Sequence, residues 1–167
     1  VAVNKNIISV SLRDRKTPKL KFNLKLINYK RIDPELKNLK YKLIIKHLSK
    51  MDNTTSDIAL CFGKKILESG TSNIFFIKNN KIYSPSRQVY IGVTYNFFKK
   101  KLGKIYNKEI LVNTLSNYDE ILLIGSGKAV TSVETIKEIK WSRKSLKYYK
   151  ILFNFYKNEI LNTPIYR

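Results

Sequence analysis

The middle of the chain is written as two pairs of short apolar segments, each pair split by two residues. Ile58 to Phe62, Gly63-Lys64 and Lys65 to Leu67 form the first pair; Asn73 to Lys78, Asn79-Asn80 and Lys81 to Ser84 form the second. Two-residue connections rich in Gly and Asn suit tight hairpin turns. These segments are expected as antiparallel hairpin strands, and the rest of the chain must supply what covers the resulting sheet.

The flanking sequence supplies both strand and helix patterns. Lys19 to Leu26 alternates polar and apolar residues and reads as a half-buried strand, punctuated by Asp33-Pro34. Leu39 to Ser49 carries Leu39, Leu43, Ile44 and Leu48 at helical spacing. Thr94 to Leu102 reads as a helix stopped by Gly103, and Ile105 to Val112 as mostly strand. Ile121 to Ile124 reads as a buried strand ending at Gly125-Ser126-Gly127, and Leu146 to Leu161 as an amphipathic closing helix. Hairpins mixed with helices make the expected fold class mixed α/β, or α+β.

Composition excludes several functions. Cys61 and His47 are each the sole residue of their kind, so neither an internal disulfide nor a Cys/His metal cluster is available. No apolar run reaches the roughly 18–20 residues of a membrane helix, and the first ten residues do not read as a secretory signal. A reducing cytoplasm is the expected location. The formal charge is +21, from 33 basic and 12 acidic residues. One reading is a footprint for a polyanion. The other is codon bias, because the basic residues are Lys apart from Arg13, Arg15, Arg31, Arg87, Arg143 and Arg167. Aromatics fall at core periods instead of interleaving with Lys on one face, which argues against a nucleic-acid module. Either reading leaves a surface that attracts small anionic substrates.

Four local patterns carry candidate chemistry. Lys37, in Leu36-Lys37-Asn38-Leu39-Lys40-Tyr41, closes a loop and opens a helix. It is either a solvated surface amine or a Schiff-base lysine, which needs its amine desolvated. Glu68 ends an apolar strand and meets Ser69-Gly70-Thr71-Ser72-Asn73. That is either a capped turn or a buried carboxylate with a cationic ring partner. Ile91-Gly92-Val93-Thr94 precedes a helix, giving either an ordinary Thr cap or a phosphate site on free N–H groups. Gly125-Ser126-Gly127-Lys128 follows a buried strand; it is not the P-loop pattern, although such a turn can still present N–H groups and a Ser hydroxyl to an anion.

In this order and spacing the four patterns resemble the class IV aminotransferase family, the fold-type IV pyridoxal-phosphate enzymes. Glu68-Ser69-Gly70-Thr71-Ser72-Asn73-Ile74-Phe75-Phe76 is similar to that family's E-G-T-S-S-N-I-F-F, and Ile91-Gly92-Val93-Thr94-Tyr95 to its P-G-I-T-R. Gly125 to Val133 is similar to G-T-A-A-G-V-T-P-V, and Leu36 to Lys42 to I-K-S-L-N-Y-L. The resemblance spans about Leu20 to Val133. It implies the C-terminal, cofactor-binding domain of a D-amino-acid-aminotransferase-like enzyme, an antiparallel-rich sheet or barrel with flanking helices. It also implies pyridoxal 5'-phosphate bonded to Lys37, with Glu68 on the pyridine nitrogen. The phosphate would be held by backbone N–H groups of Val93 and Thr94 and by the Ser126 hydroxyl.

The expected division is 1–18 as linker or the end of an N-terminal domain and 19–167 as the cofactor domain. The family's N-terminal α/β domain, with an Arg for the phosphate, is largely missing from this sequence, and a homodimer is expected. The Lys37 and Gly125-Ser126-Gly127-Lys128 stretches look closest to aminodeoxychorismate lyases of folate biosynthesis. The alternatives are a D-amino-acid or branched-chain transaminase, and a non-catalytic remnant. Lys40 departs from the family's Asn, Ile91 from its Pro and Tyr95 from its Arg.

Overall fold

The computed structural model describes residues 2–4, 6–10, 16–38 and 40–164. Arg13, Arg15, Leu39 and Arg167 lie outside the described residues.

The two expected hairpins are present. The first is β4 (Ser56–Phe62) with β5 (Lys65–Ser69); the second is β6 (Asn73–Lys78) with β7 (Lys81–Ser84). Gly63 and Lys64 have φ of +54° and +66°, and Asn79 and Asn80 have +49° and +57°. Positive φ at both central positions matches the right-handed twist of the flanking strands. Each hairpin is then built into a different sheet. One sheet has the order β11-β10-β6-β7-β8, with β8 (Tyr106–Asn107), β10 (Glu120–Gly125) and β11 (Ala129–Ser132). The other has the order β13-β12-β3-β4-β5-β9, with β3 (Asn23–Asn28), β9 (Ile110–Leu111), β12 (Thr135–Ile136) and β13 (Trp141–Ser142). The β3/β4, β3/β12 and β7/β8 pairs are parallel and the other pairs antiparallel. Separate from both, β1 (Ala2–Asn4) pairs with β2 (Ile7–Ser9) and, among the described residues, with no other strand.

Side chains alternate across each strand and sort the core into layers. Ala59, Cys61, Ile66, Ile74, Phe76, Ile121 and Leu123 meet between the sheets. Phe75, Ile77, Leu122 and Ile124 face the opposite way, onto Tyr95 and Phe98 of α2 (Val93–Leu102) and Leu152 of α3 (Lys147–Asn162). Ile58 and Leu60 face Ile44 of α1 (Lys42–Leu48). Strands buried on both faces are written as continuous apolar runs, which is why Ile121 to Ile124 shows no polar alternation. Glu120 is buried, and its carboxylate accepts the N–H groups of Tyr148 and Tyr149 at 2.8 and 2.9 Å, capping α3.

Three expectations need correction. The strand expected over Lys19 to Leu26 is displaced to Asn23–Asn28, because the ladder with β4 begins at Asn23 opposite Ser56. Phe22 is nevertheless fully buried, whereas Leu20 is exposed, so the period-two pattern there does not mark one sheet face. Ile105 to Val112 is not mostly strand. Tyr106 pairs with Tyr83 in one sheet and Ile110 with Ile66 in the other, so the segment crosses between sheets as two short strands, and Val112 starts a 3-10 helix. The first helix starts at Lys42, so Lys40 and Tyr41 of the expected span are not helical. Asn38 holds the preceding loop by donating to the carbonyls of Ile32 and Asp33 and accepting the N–H of Lys40.

Cys61 offers a probe of this packing. It is buried between the sheets, and desolvation pushes its thiol up to about 11. At pH 8 the thiolate fraction is then on the order of a thousandth. A thiol-specific reagent should leave Cys61 unmodified in the native protein and label it fully in denaturant. Rapid native labelling would show that the two sheets do not enclose it.

Candidate active site

A cleft of about 160 Å³ opens where four chain segments meet. The loop after β3 contributes Arg31, Lys37 and Tyr41; the turn from β5 to β6 contributes Glu68 to Asn73; the entry to α2 contributes Tyr90, Gly92, Val93 and Thr94; the β10–β11 turn contributes Gly125 and Ser126. All five residues singled out from the sequence therefore line one cleft. A larger cavity of about 410 Å³ lies beside Lys65, Arg87 and Glu109. Volume does not choose between them; the convergence of an amine, a buried carboxylate, a helix N-terminus and a hydroxyl does.

Glu68 ends β5 and is 6 % exposed. The Arg31 guanidinium, 5 % exposed, donates from Nε to Glu68 Oε1 at 2.6 Å. It also donates to the carbonyls of Pro34 and Leu36. Arg31 thus ties the backbone just before Lys37 to the carboxylate, across 37 positions of sequence. Glu68 Oε2 accepts the N–H of Tyr90 at 3.3 Å. Burial raises the Glu68 carboxyl above its ordinary value, and the Arg31 hydrogen bond and charge oppose that rise. A carboxylate has about four acceptor positions, so these contacts leave capacity for a further N–H cation, which would favour the ionised form.

Asn73 places the far wall. Its amide donates to the Tyr90 carbonyl at 2.7 Å and accepts the Gly92 N–H at 3.0 Å. That fixes the entry to α2, whose N-cap Gly92 has no side chain to cap the first turn. The leading N–H groups of a helix have no intrahelical partner, so those of Val93 and Thr94 suit an anion. Val93 is 80 % exposed and Thr94 is buried. Ser126 is exposed on the β10–β11 turn. That turn lies close against its neighbour: a Cβ on Gly125 would stand 2.7 Å from Ser72 Oγ, so any larger residue would require Ser72 to shift.

Other placements differ from the sequence reading. Lys37 sits within the loop, five positions before the helix it was expected to open, and it is exposed. Its Nζ lies 6.0 Å from the Tyr90 ring, and the described residues do not desolvate the amine. Lys40 turns to the surface and pairs with Asp33 at 3.1 Å. Tyr95 belongs to the core, edge-on to Phe75 with ring centroids 5.4 Å apart, its hydroxyl bonded to Asn107. Arg31 belongs to no motif in the sequence. The available signal was an Arg in a chain that otherwise writes Lys, since a planar fork suits a carboxylate and two carbonyls together. Asn73 was read only as part of a motif. Tyr90, which donates its backbone N–H, carries no side-chain signature at all.

Removing one partner of a buried pair leaves an uncompensated charge. Arg31→Met should cost about 3–5 kcal/mol at neutral pH in urea unfolding, and less in acid. The raised Glu68 value sets that sign: the folded state holds the proton more tightly than the unfolded chain, so ionising Glu68 costs stability as pH rises through its folded value. A penalty below about 1 kcal/mol would show that the pair is not the clamp described.

Among curated proteins none matches the chain significantly. Among solved structures, a Thermotoga maritima protein described as a branched-chain amino acid aminotransferase is 20 % identical, with a TM-score of 0.70 over 90 % of this chain and 60 % of its own. A Thermobaculum terrenum branched-chain aminotransferase in its PLP form is 16 % identical, with a TM-score of 0.68 over 84 % of this chain and 51 % of its own. A Legionella pneumophila protein described as a 4-amino-4-deoxychorismate lyase is 18 % identical, with a TM-score of 0.68 over 86 % of this chain and 58 % of its own. The chain thus spans little more than half the length of the structures it resembles, and at these identities the likeness establishes the fold alone. A sequence model of the amino-transferase class IV family matches residues 5–136, most of the chain. This chain belongs to the class IV aminotransferase family.

Proposed function

We propose that the chain is the cofactor-binding part of a pyridoxal-phosphate enzyme and that its reaction is the aminodeoxychorismate lyase reaction, releasing pyruvate and leaving 4-aminobenzoate. The observation that supports the cofactor is the cleft itself, with Lys37 and a clamped Glu68 on one side and the α2 N-terminus and Ser126 on the other. The residue chemistry fits the group: an amine for its aldehyde, a carboxylate for its ring nitrogen, neutral donors for its phosphate.

When bound, the cofactor supplies an electron sink for the substrate carbon next to nitrogen. This chain's residues do the rest. Glu68 holds the ring nitrogen in its protonated form, and Arg31 keeps Glu68 in place. Val93 and Thr94 N–H groups and the Ser126 hydroxyl orient the phosphate. Lys37 carries the proton between substrate atoms once its amine is free. In that role its amine has to be shielded from water, which the described residues do not do. We assign that cover to an N-terminal domain and to a second copy in a homodimer, with 1–18 as the connection and 19–167 as the cofactor domain. The isolated β1–β2 ribbon, with Ile7 and Ile8 exposed, is consistent with that division.

The lyase reading rests on the Lys37 and Gly125-Ser126-Gly127-Lys128 stretches. Solved branched-chain aminotransferases of similar fold support a second reading, a branched-chain transaminase, and the D-amino-acid transaminase alternative rests on the family resemblance alone. With the N-terminal part restored, the lyase should yield pyruvate and 4-aminobenzoate in equal amounts. Glutamate formed from 2-oxoglutarate without 4-aminobenzoate would assign the transaminase. Absence of any cofactor binding would leave a non-catalytic remnant. Lys37→Ala should abolish both turnover and the visible absorbance of the bound cofactor. Glu68→Gln should keep binding and slow turnover by on the order of a hundredfold; unchanged turnover would remove Glu68 from the assignment.

A further inference from the structure

A second buried ion pair lies behind the cleft, and the proposed reaction does not use it. Asp57, at the start of β4, is fully buried, and Lys128, in the turn between β10 and β11, is 8 % exposed. Lys128 Nζ stands 3.3 Å from Asp57 Oδ2 and 4.7 Å over the ring of Phe22. The pair joins the two sheets, because Asp57 belongs to one and the Lys128 turn to the other.

Asp57 in turn organises the wall that carries Glu68. Its Oδ2 accepts the hydroxyls of Ser69 at 3.2 Å and Thr71 at 2.9 Å. Ser69 Oγ, having donated to Asp57, accepts the N–H groups of Thr71 and Ser72. The remaining N–H groups of the turn are also used internally: Ser69 donates to the Ser72 carbonyl and Gly70 to the Ile58 carbonyl. None of these four amides is left for a ligand. The turn is scaffold, and its anchor is a carboxylate balanced by a cation two residues after Ser126. Where the family motif quoted above has a small apolar residue, this chain has that cation.

We propose that Lys128 is a positioning residue. Through Asp57 it sets the separation between the Glu68 turn and the Ser126 turn, and so the fit of a phosphate group at the far end of the cleft. This rests on the cofactor reading given above. A buried charge without its partner would lower stability whatever its role, so the test has to separate positioning from folding.

The probes are pyridoxal phosphate and pyridoxal, which differ only in the phosphate, titrated against wild type, Lys128→Met, Lys128→Arg and the double variant Asp57→Asn/Lys128→Met, each with the N-terminal part restored. Each protein is also followed by amide hydrogen exchange. Lys128→Met should lose about tenfold or more of the preference for pyridoxal phosphate over pyridoxal, with pyridoxal affinity within about twofold of wild type. Exchange at Thr71 and Ser72 should quicken, and Lys128→Arg should restore both readouts in part. The double variant removes the uncompensated charge, so it should recover thermal stability while keeping the lost preference; it also answers the question if Lys128→Met fails to fold. An unchanged preference in the double variant overturns the proposal and leaves the cofactor reading intact. Wild-type protein that binds neither probe overturns both.

Discussion

The cleft depends on one contact, the 2.6 Å ion pair between Arg31 and Glu68. Arg31 lies on the loop after β3, and the same guanidinium holds the carbonyls of Pro34 and Leu36. The loop before Lys37 has no strand or helix of its own, so its place relative to Glu68 is set by this fork. Two charges buried to this degree are costly to desolvate, and their attraction offsets that only with good geometry and further hydrogen bonds. Here the extra bonds are present: two carbonyls for the guanidinium and the Tyr90 N–H for the carboxylate.

The other walls are held by the same kind of device, a buried polar side chain that ties a loop in place. Asn73 fixes the entry to α2 with both ends of its amide. Asp57 fixes the Ser69–Ser72 turn through two hydroxyls. Glycine at 125 then lets the two turns approach without displacing Ser72. Such anchors suit a cleft lined by loops, because loops lack the ladder that fixes strands. They also leave the N–H groups of Val93 and Thr94 outside the network, at a helix end that favours negative charge.

What was legible in the sequence was local. Gly63-Lys64 and Asn79-Asn80 write their own turn geometry, so both hairpins could be read directly. Glu68 with its small-residue turn, and Gly92 before α2, were readable as local motifs, and both line the cleft. What could not be read was set by tertiary structure. Ile105 to Val112 looks like one strand, yet Tyr106 and Ile110 pair in different sheets. Lys19 to Phe22 alternates correctly but has no ladder to join. Arg31 and Lys128 are two basic residues among 33, and only the fold places each against a buried acid. The exposure of Lys37 was also invisible, because the motif specifies the amine and not what covers it.

If the cleft selects one amine from a lysine-rich surface, adding pyridoxal phosphate to the protein, reducing with borohydride and mapping the modified lysines by peptide mass spectrometry at substoichiometric label will find modification concentrated on Lys37, where a nearby carboxylate and phosphate donors hold the reagent in place. Label spread over surface lysines in proportion to their exposure, with no excess at Lys37, would contradict it.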